Sequence, residues 1–135
     1  MKFLCLICAE KVMEQMDEAA AEKHYREYAE FTGAIRKSGH FLGGNRLLPP
    51  GTAATVRVRQ GRVTATDGPF AETKEQLGGY YLIEAADLNE AIQVAARIPG
   101  ARTGCVEVRP LAEDARTLEV LGLAAPDAAA AGGSR

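Results

Sequence analysis

Two short segments, residues 2–8 (KFLCLIC) and 80–83 (YYLI), are apolar without alternation. A strand with one wet face alternates polar and apolar side chains, so a strand that does not must be covered on both sides. Both segments are therefore expected in the interior of a sheet. The other strand signals are of the one-sided kind. Val56 and Val58 alternate with Arg57 and Arg59, Gln60-Gly61 suits a two-residue turn, and Val63 and Ala65 alternate again. Pairing Val58 with Val63 and Val56 with Ala65 gathers all four on one face, which gives the hairpin a self-consistent register. Residues 104–109 alternate in the same way, and Gly43-Gly44 followed by Pro49-Pro50-Gly51 leaves room for a short edge-like strand.

Two helices are expected between these strands. The first runs from about Asp17, its cap, to Ser38, with Gly39 as the stop. Its apolar stripe is Ala21, Tyr25, Tyr28, Phe31 and Ile35, with Lys23, Arg26, Glu27 and Glu30 opposite, and His40 reads as a helix-end residue suited to the dipole. The second starts in a capping box, Asp87 with Glu90, carries Leu88, Ala91, Ile92 and Ala95 as its stripe, and ends at Pro99-Gly100. The order strand, helix, strands, strand, helix, strand specifies an α+β fold, a ferredoxin-like sandwich with an antiparallel sheet and two helices on one face. Two helices cover one face only, so the other is expected to pack on a second copy, as a homodimer.

The remaining composition narrows the field. Sixteen basic and eighteen acidic residues give a charge of −2, which removes the footprint of a general nucleic-acid binder. No apolar run approaches the ~20 residues of a membrane span. The short apolar start meets Glu10 and Lys11 at once and is read as a strand, not a secretory signal. Three cysteines without framework spacing fit reduced thiols in a cytoplasmic protein. Cys5 and Cys8 are spaced C-x-x-C, but strand alternation sends them to opposite faces, so they and Cys105 are read as buried apolar side chains. No Cys/His/Asp cluster has metal-ligand spacing, and no cofactor is called for. Residues 1–111 are expected to form one domain, and 112–135 an extension whose last ~14 residues, rich in Ala and Gly, form a mobile tail.

Residues 66–81, TDGPFAETKEQLGGYY, resemble the signature of the DGPF family of YCII-related proteins. Gly43-Gly44, Leu48-Pro49-Pro50 and Thr55-Val56-Arg57 precede it in the family manner, and Ala95 to Gly100 and Val106 to Pro110 follow likewise. The resemblance implies a dimeric α+β barrel. It implies no defined activity, although relatives in the wider group include small-molecule dehalogenases and isomerases. Some DGPF proteins are associated with alternative (extracytoplasmic-function) sigma factors, so a non-catalytic regulatory module with a sigma-factor partner stands as the alternative to a small-molecule enzyme.

Few residues carry chemistry. His24 falls inside the apolar arc of the first helix, where it would line a cleft between helix and sheet as a general acid or base, or sit partly buried and bonded to backbone or a Tyr. The His–Asp pair that the resemblance implies favours the first reading. Asp67 is either a turn former before Gly-Pro or the carboxylate that orients His24. Glu72, Thr73, Lys74 and Glu75 form a charged loop between Phe70, itself a candidate ligand contact, and Leu77, two apolar residues expected to anchor it on the core. It is either solvated or faces a ligand, with Lys74 holding an anionic group. Gly68, Gly78 and Gly79 are read as turn chemistry, Arg57 and Arg59 as solvated, and Tyr80 and Tyr81 as core or interface.

Overall fold

A computed structural model describes residues 1–10 and 16–123. In chain order the elements are β1 (Lys2–Ala9), α1 (Glu18–Lys37), β2 (Phe41–Arg46), β3 (Ala54–Arg59), β4 (Arg62–Asp67), β5 (Gln76–Glu84), α2 (Leu88–Ala95), β6 (Cys105–Pro110) and α3 (Ala115–Val120). The two unalternating segments are the central strands of an antiparallel sheet of order β2-β5-β1-β6. Phe3 pairs with Ile83 and Cys5 with Tyr81, so these four share a face and are buried. Phe31 and Ile35 of α1, Ala91, Val94 and Ala95 of α2, and Ile98 close the core over that face. Both helices thus lie on one side of the sheet, the ferredoxin-like arrangement. On the opposite face Leu4, Leu6, Tyr80 and Leu82 are only half-buried.

The caps form as their residue types require. Asp17 accepts the Ala20 N–H at 2.7 Å and Asp87 accepts that of Glu90 at 2.8 Å. The capping box is not closed in the expected way. The Glu90 carboxylate accepts the Ala86 N–H at 3.2 Å and lies 3.0 Å from His40 Nε2, while Ser38 Oγ lies 2.6 Å from His40 Nδ1. His40 therefore bridges the end of α1 to the start of α2, a tertiary role beyond a helix-end charge. The stripe of α2 also differs in phase. Ala91, Val94 and Ala95 are buried, while Leu88 and Ile92 are 46% and 49% exposed. In two turns the same periodicity admits either phase, and the small side chains of Ala91 and Ala95 let the helix approach the sheet.

The hairpin β3–β4 has the expected register, with Val58 opposite Val63 and Val56 opposite Ala65. Its turn places Gln60 at φ 52° and Gly61 at φ 75°, both left-handed, as a type I′ turn requires. It forms a separate two-stranded sheet. The valine face points to solvent, with Val56, Val58 and Val63 62%, 57% and 70% exposed; on the other face Arg59 is exposed as expected, whereas Arg57 is half-buried with its guanidinium 5.6 Å from the Phe70 ring.

Beyond residue 111 the chain adds α3, which the sequence pattern does not signal because six residues carry too little periodicity. Asp114 caps it by accepting the Thr117 N–H, and Leu118 is buried. Of the expected mobile tail, all but Gly122 and Leu123 lies outside the described residues.

Side-chain truncation at the sheet's inner face should cost far more than change on the hairpin. Ile83→Ala should lose about 2–5 kcal/mol of unfolding free energy in urea. Val58→Thr should stay within about 0.5 kcal/mol, because its side chain is largely in water already.

Candidate functional site

The inner face of the sheet changes character along its strands. Towards one end it carries Phe3 and Ile83, then Cys5 and Tyr81, and α1 packs there through Ile35 and Phe31. One pair further, Ile7 stands opposite Gly79, and on the other side of Gly79 is Arg46, with Gly44 opposite Tyr81. Where glycine replaces a side chain the helix has nothing to rest on, and a cleft of about 370 Å³ opens between α1 and the sheet. That is at the small end of ligand pockets, on the order of 300–1,000 Å³. Gly44 and Gly79 also permit the strands' close approach. A Cβ on Gly44 would lie 2.8 Å from the Tyr80 carbonyl oxygen, and one on Gly79 would lie 3.0 Å from that of Asn45. Gly78 and Gly79 are thus inside β5 rather than in a turn, while Gly68, at φ 97°, is a turn glycine as expected.

Tyrosines brace the walls. The Tyr28 hydroxyl accepts the Gly100 N–H at 3.1 Å, and the Tyr81 and Thr32 hydroxyls are 2.6 Å apart. Burial pushes both phenols above their ordinary pKa, outweighing the hydrogen bonds from Gly100 and Thr32, so both stay protonated near neutral pH. Arg36 lies with its guanidinium 4.6 Å above the Phe41 ring.

His24 is on this wall, partly buried, with its ring 4.9 Å from that of Tyr28 in an edge-on arrangement. Desolvation lowers its pKa below 6.5; the Glu27 carboxylate works against this and Arg102 with it. The imidazole is therefore neutral at pH 7, ready to accept a proton.

The other sequence-identified residues gather elsewhere. Asp67 ends β4 and is exposed. Glu72, Thr73 and Lys74 border a shallow depression with Pro49, Thr52 and Pro69. Lys74 is 84% exposed and lies 3.2 Å from Glu10, and the Thr73 hydroxyl donates to the Glu75 carbonyl. Phe70 and Leu77 do not anchor this loop on the core: they are 79% and 43% exposed. Asp67 lines neither the cleft that holds His24 nor this depression.

The cysteines divide by face. Cys5 is buried in the core and its thiol is pushed up to about 11 by desolvation. Cys8 pairs with Cys105 across β1 and β6 on the opposite face. Cys105 is exposed, not buried, because β6 is an edge strand and Glu75 is its neighbour there rather than a core side chain.

Tyr28, Thr32, Gly44, Arg46 and Gly79 are cleft residues that the sequence does not mark as site residues: Tyr28 reads as core stripe, Gly44 as punctuation and Gly79 as turn chemistry. A usable signal was present: Tyr28 and Thr32 follow His24 at i+4 and i+8, and glycine pairs inside strand-like segments mark close backbone approach.

Comparison with known proteins agrees with this architecture. Residues 1–114 match the family model described as the YCII-related domain. An uncharacterized protein of Rhizobium meliloti (strain 1021) is 54% identical over 69 residues, a match covering 50% of this chain and 56% of that protein's length. The solved 5-chloro-2-hydroxyhydroquinone dehydrochlorinase from Burkholderia phenoliruptrix AC1100, in complex with 2,5-dihydroxybenzoquinone, superposes with a TM-score of 0.50 at 13% identity, over 86% of this chain and 98% of that one. That likeness shows a shared α+β fold.

The His24 environment predicts its titration. Followed by NMR, the imidazole should titrate below pH 6.5, and Glu27→Gln should lower the midpoint further by removing the nearby carboxylate. Because the fold favours the neutral ring, this contribution to stability is complete above pH 6.5 and is lost as pH falls below it.

Proposed function

Because the chain belongs to the YCII-related domain family, we propose that it binds a small molecule in the cleft between α1 and the sheet and transfers a proton there, with His24 as general base or acid. One observation carries the proposal: a histidine kept neutral by burial stands on the wall of a cleft that glycines hold open. An imidazole in that state accepts a proton from a bound substrate and returns it to the product. The dehydrochlorinase that shares the fold is named for a reaction that removes hydrogen and chloride together, and such an elimination needs a base. In this proposal Tyr28 fixes the ring from one side. Asp67, at the end of β4, holds the turn before Gly68, and Glu72, Thr73 and Lys74 serve a ligand group at their own depression. The chain acts as a homodimer joined through the half-buried outer face of Leu4, Leu6, Tyr80 and Leu82.

The test uses the purified chain in D₂O with a metabolite mixture, reading retained compounds and deuterium incorporation by mass spectrometry. Wild type should retain a compound and exchange one of its protons. His24→Gln should retain it without exchange, and Thr32→Phe, checked for folding by circular dichroism, should retain nothing because the ring fills the cleft. Retention unaffected by Thr32→Phe would overturn the cleft as the site. Undiminished exchange in His24→Gln would remove the base. The exchange rate of the wild type should rise with pH through the lowered His24 pKa and be level by about pH 7.5, as expected for a base that works unprotonated.

A further inference from the structure

We infer that the molecule this cleft takes is a planar, ring-bearing anion whose acidic oxygens are held by Arg46, an inference that rests on the cleft being the binding site. The chain as a whole is slightly acidic, yet the described residues lining the cleft include Arg36, Arg46 and His24 and no carboxylate. The two arginines are not equivalent. Arg36 lies over the Phe41 ring, which occupies one face of its guanidinium. Arg46 has no ion-pair partner among the described residues, whereas Arg102 and Arg109 each have a carboxylate within 2.8 Å.

The register explains why Arg46 is available. It stands opposite Gly79, so both point to the helix side of the sheet, and the glycine offers no side chain to cover it. A forked guanidinium with no ion-pair partner among the described residues, beside an apolar slot, suits two oxygens of a carboxylate, or one phenolate, and its hydrogen bonds strengthen as water is displaced. The shape follows from the same residues. At Gly79 the floor is backbone, at Gly44 the flat Tyr81 ring lies against it, and Tyr28 and Phe41 supply further aromatic walls. A flat ring fits between such surfaces; a puckered ring of the same size meets the walls with its axial hydrogens.

The experiment is an amide NMR titration of the whole chain with 1-naphthoate, its uncharged amide 1-naphthamide, and the saturated analogue decalin-1-carboxylate. Naphthoate should shift the Gly44, Gly79 and His24 amides saturably and bind about tenfold more tightly than the amide. It should also bind more tightly than the saturated acid. Arg46→Gln should bring naphthoate down to the affinity of the amide. Equal binding of naphthoate and naphthamide, or an undiminished preference in Arg46→Gln, would overturn the anion and leave the cleft standing. Equal binding of the saturated acid would overturn the planar ring. If no compound moves a cleft amide, the binding-site reading falls together with the inference.

Discussion

The pairing of β1 with β5 is the constraint on which the rest depends. Its register sets Phe3 beside Ile83, Cys5 beside Tyr81 and Ile7 beside Gly79, a series that ends on a glycine on the face that meets the helices. A slip of β1 by one residue would send Phe3 and Cys5 to the other face and bring Leu4 and Leu6 beside Tyr81 and Ile83. Hydrophobicity alone would tolerate that exchange, since both sets are apolar. What distinguishes them is fit: the first set matches Phe31 and Ile35 at one end and leaves room under His24 and Tyr28 at the other. The register therefore selects the core and the cleft together.

Much of this was legible in the sequence. The absence of alternation in residues 2–8 and 80–83 located the central strands, and the hairpin register followed from where its valines fall. His24 was visible because a titratable residue in an apolar arc has few ordinary reasons to be there. The cleft itself was not legible, because it is made of missing atoms. Gly44 and Gly79 give no periodic signal, and Arg46 looks like any charged strand end until its partner across the sheet is known to be glycine. Side-chain exposure on the hairpin was equally hidden. Register decides which residues share a face, but only the position of the hairpin beside the main sheet decides which face is wet.

The acid–base character of the cleft wall comes from burial more than from charge pairs. Desolvation is the leading influence on His24, Tyr28 and Tyr81, and it favours the neutral form of each. A wall of neutral groups next to arginines differs in kind from the loop of residues 72–75, where exposed charges meet in high dielectric and each pair contributes little. The most conspicuous charged segment and the electrostatically distinctive one are thus separate places.

The bare floor under α1 also bears on how such a protein changes over time. Most pockets are widened by trimming side chains, and each trimming sacrifices packing that held the fold together. Here the space was vacated where strand meets strand, so variation can proceed by addition. Methyl groups arriving on the opposite wall, at Thr32 or Tyr28, would reshape the recess without touching the Phe3–Ile83 end that carries the stability. Binding preference and structural endurance occupy different ends of one sheet, which leaves a lineage free to revise the first while inheriting the second.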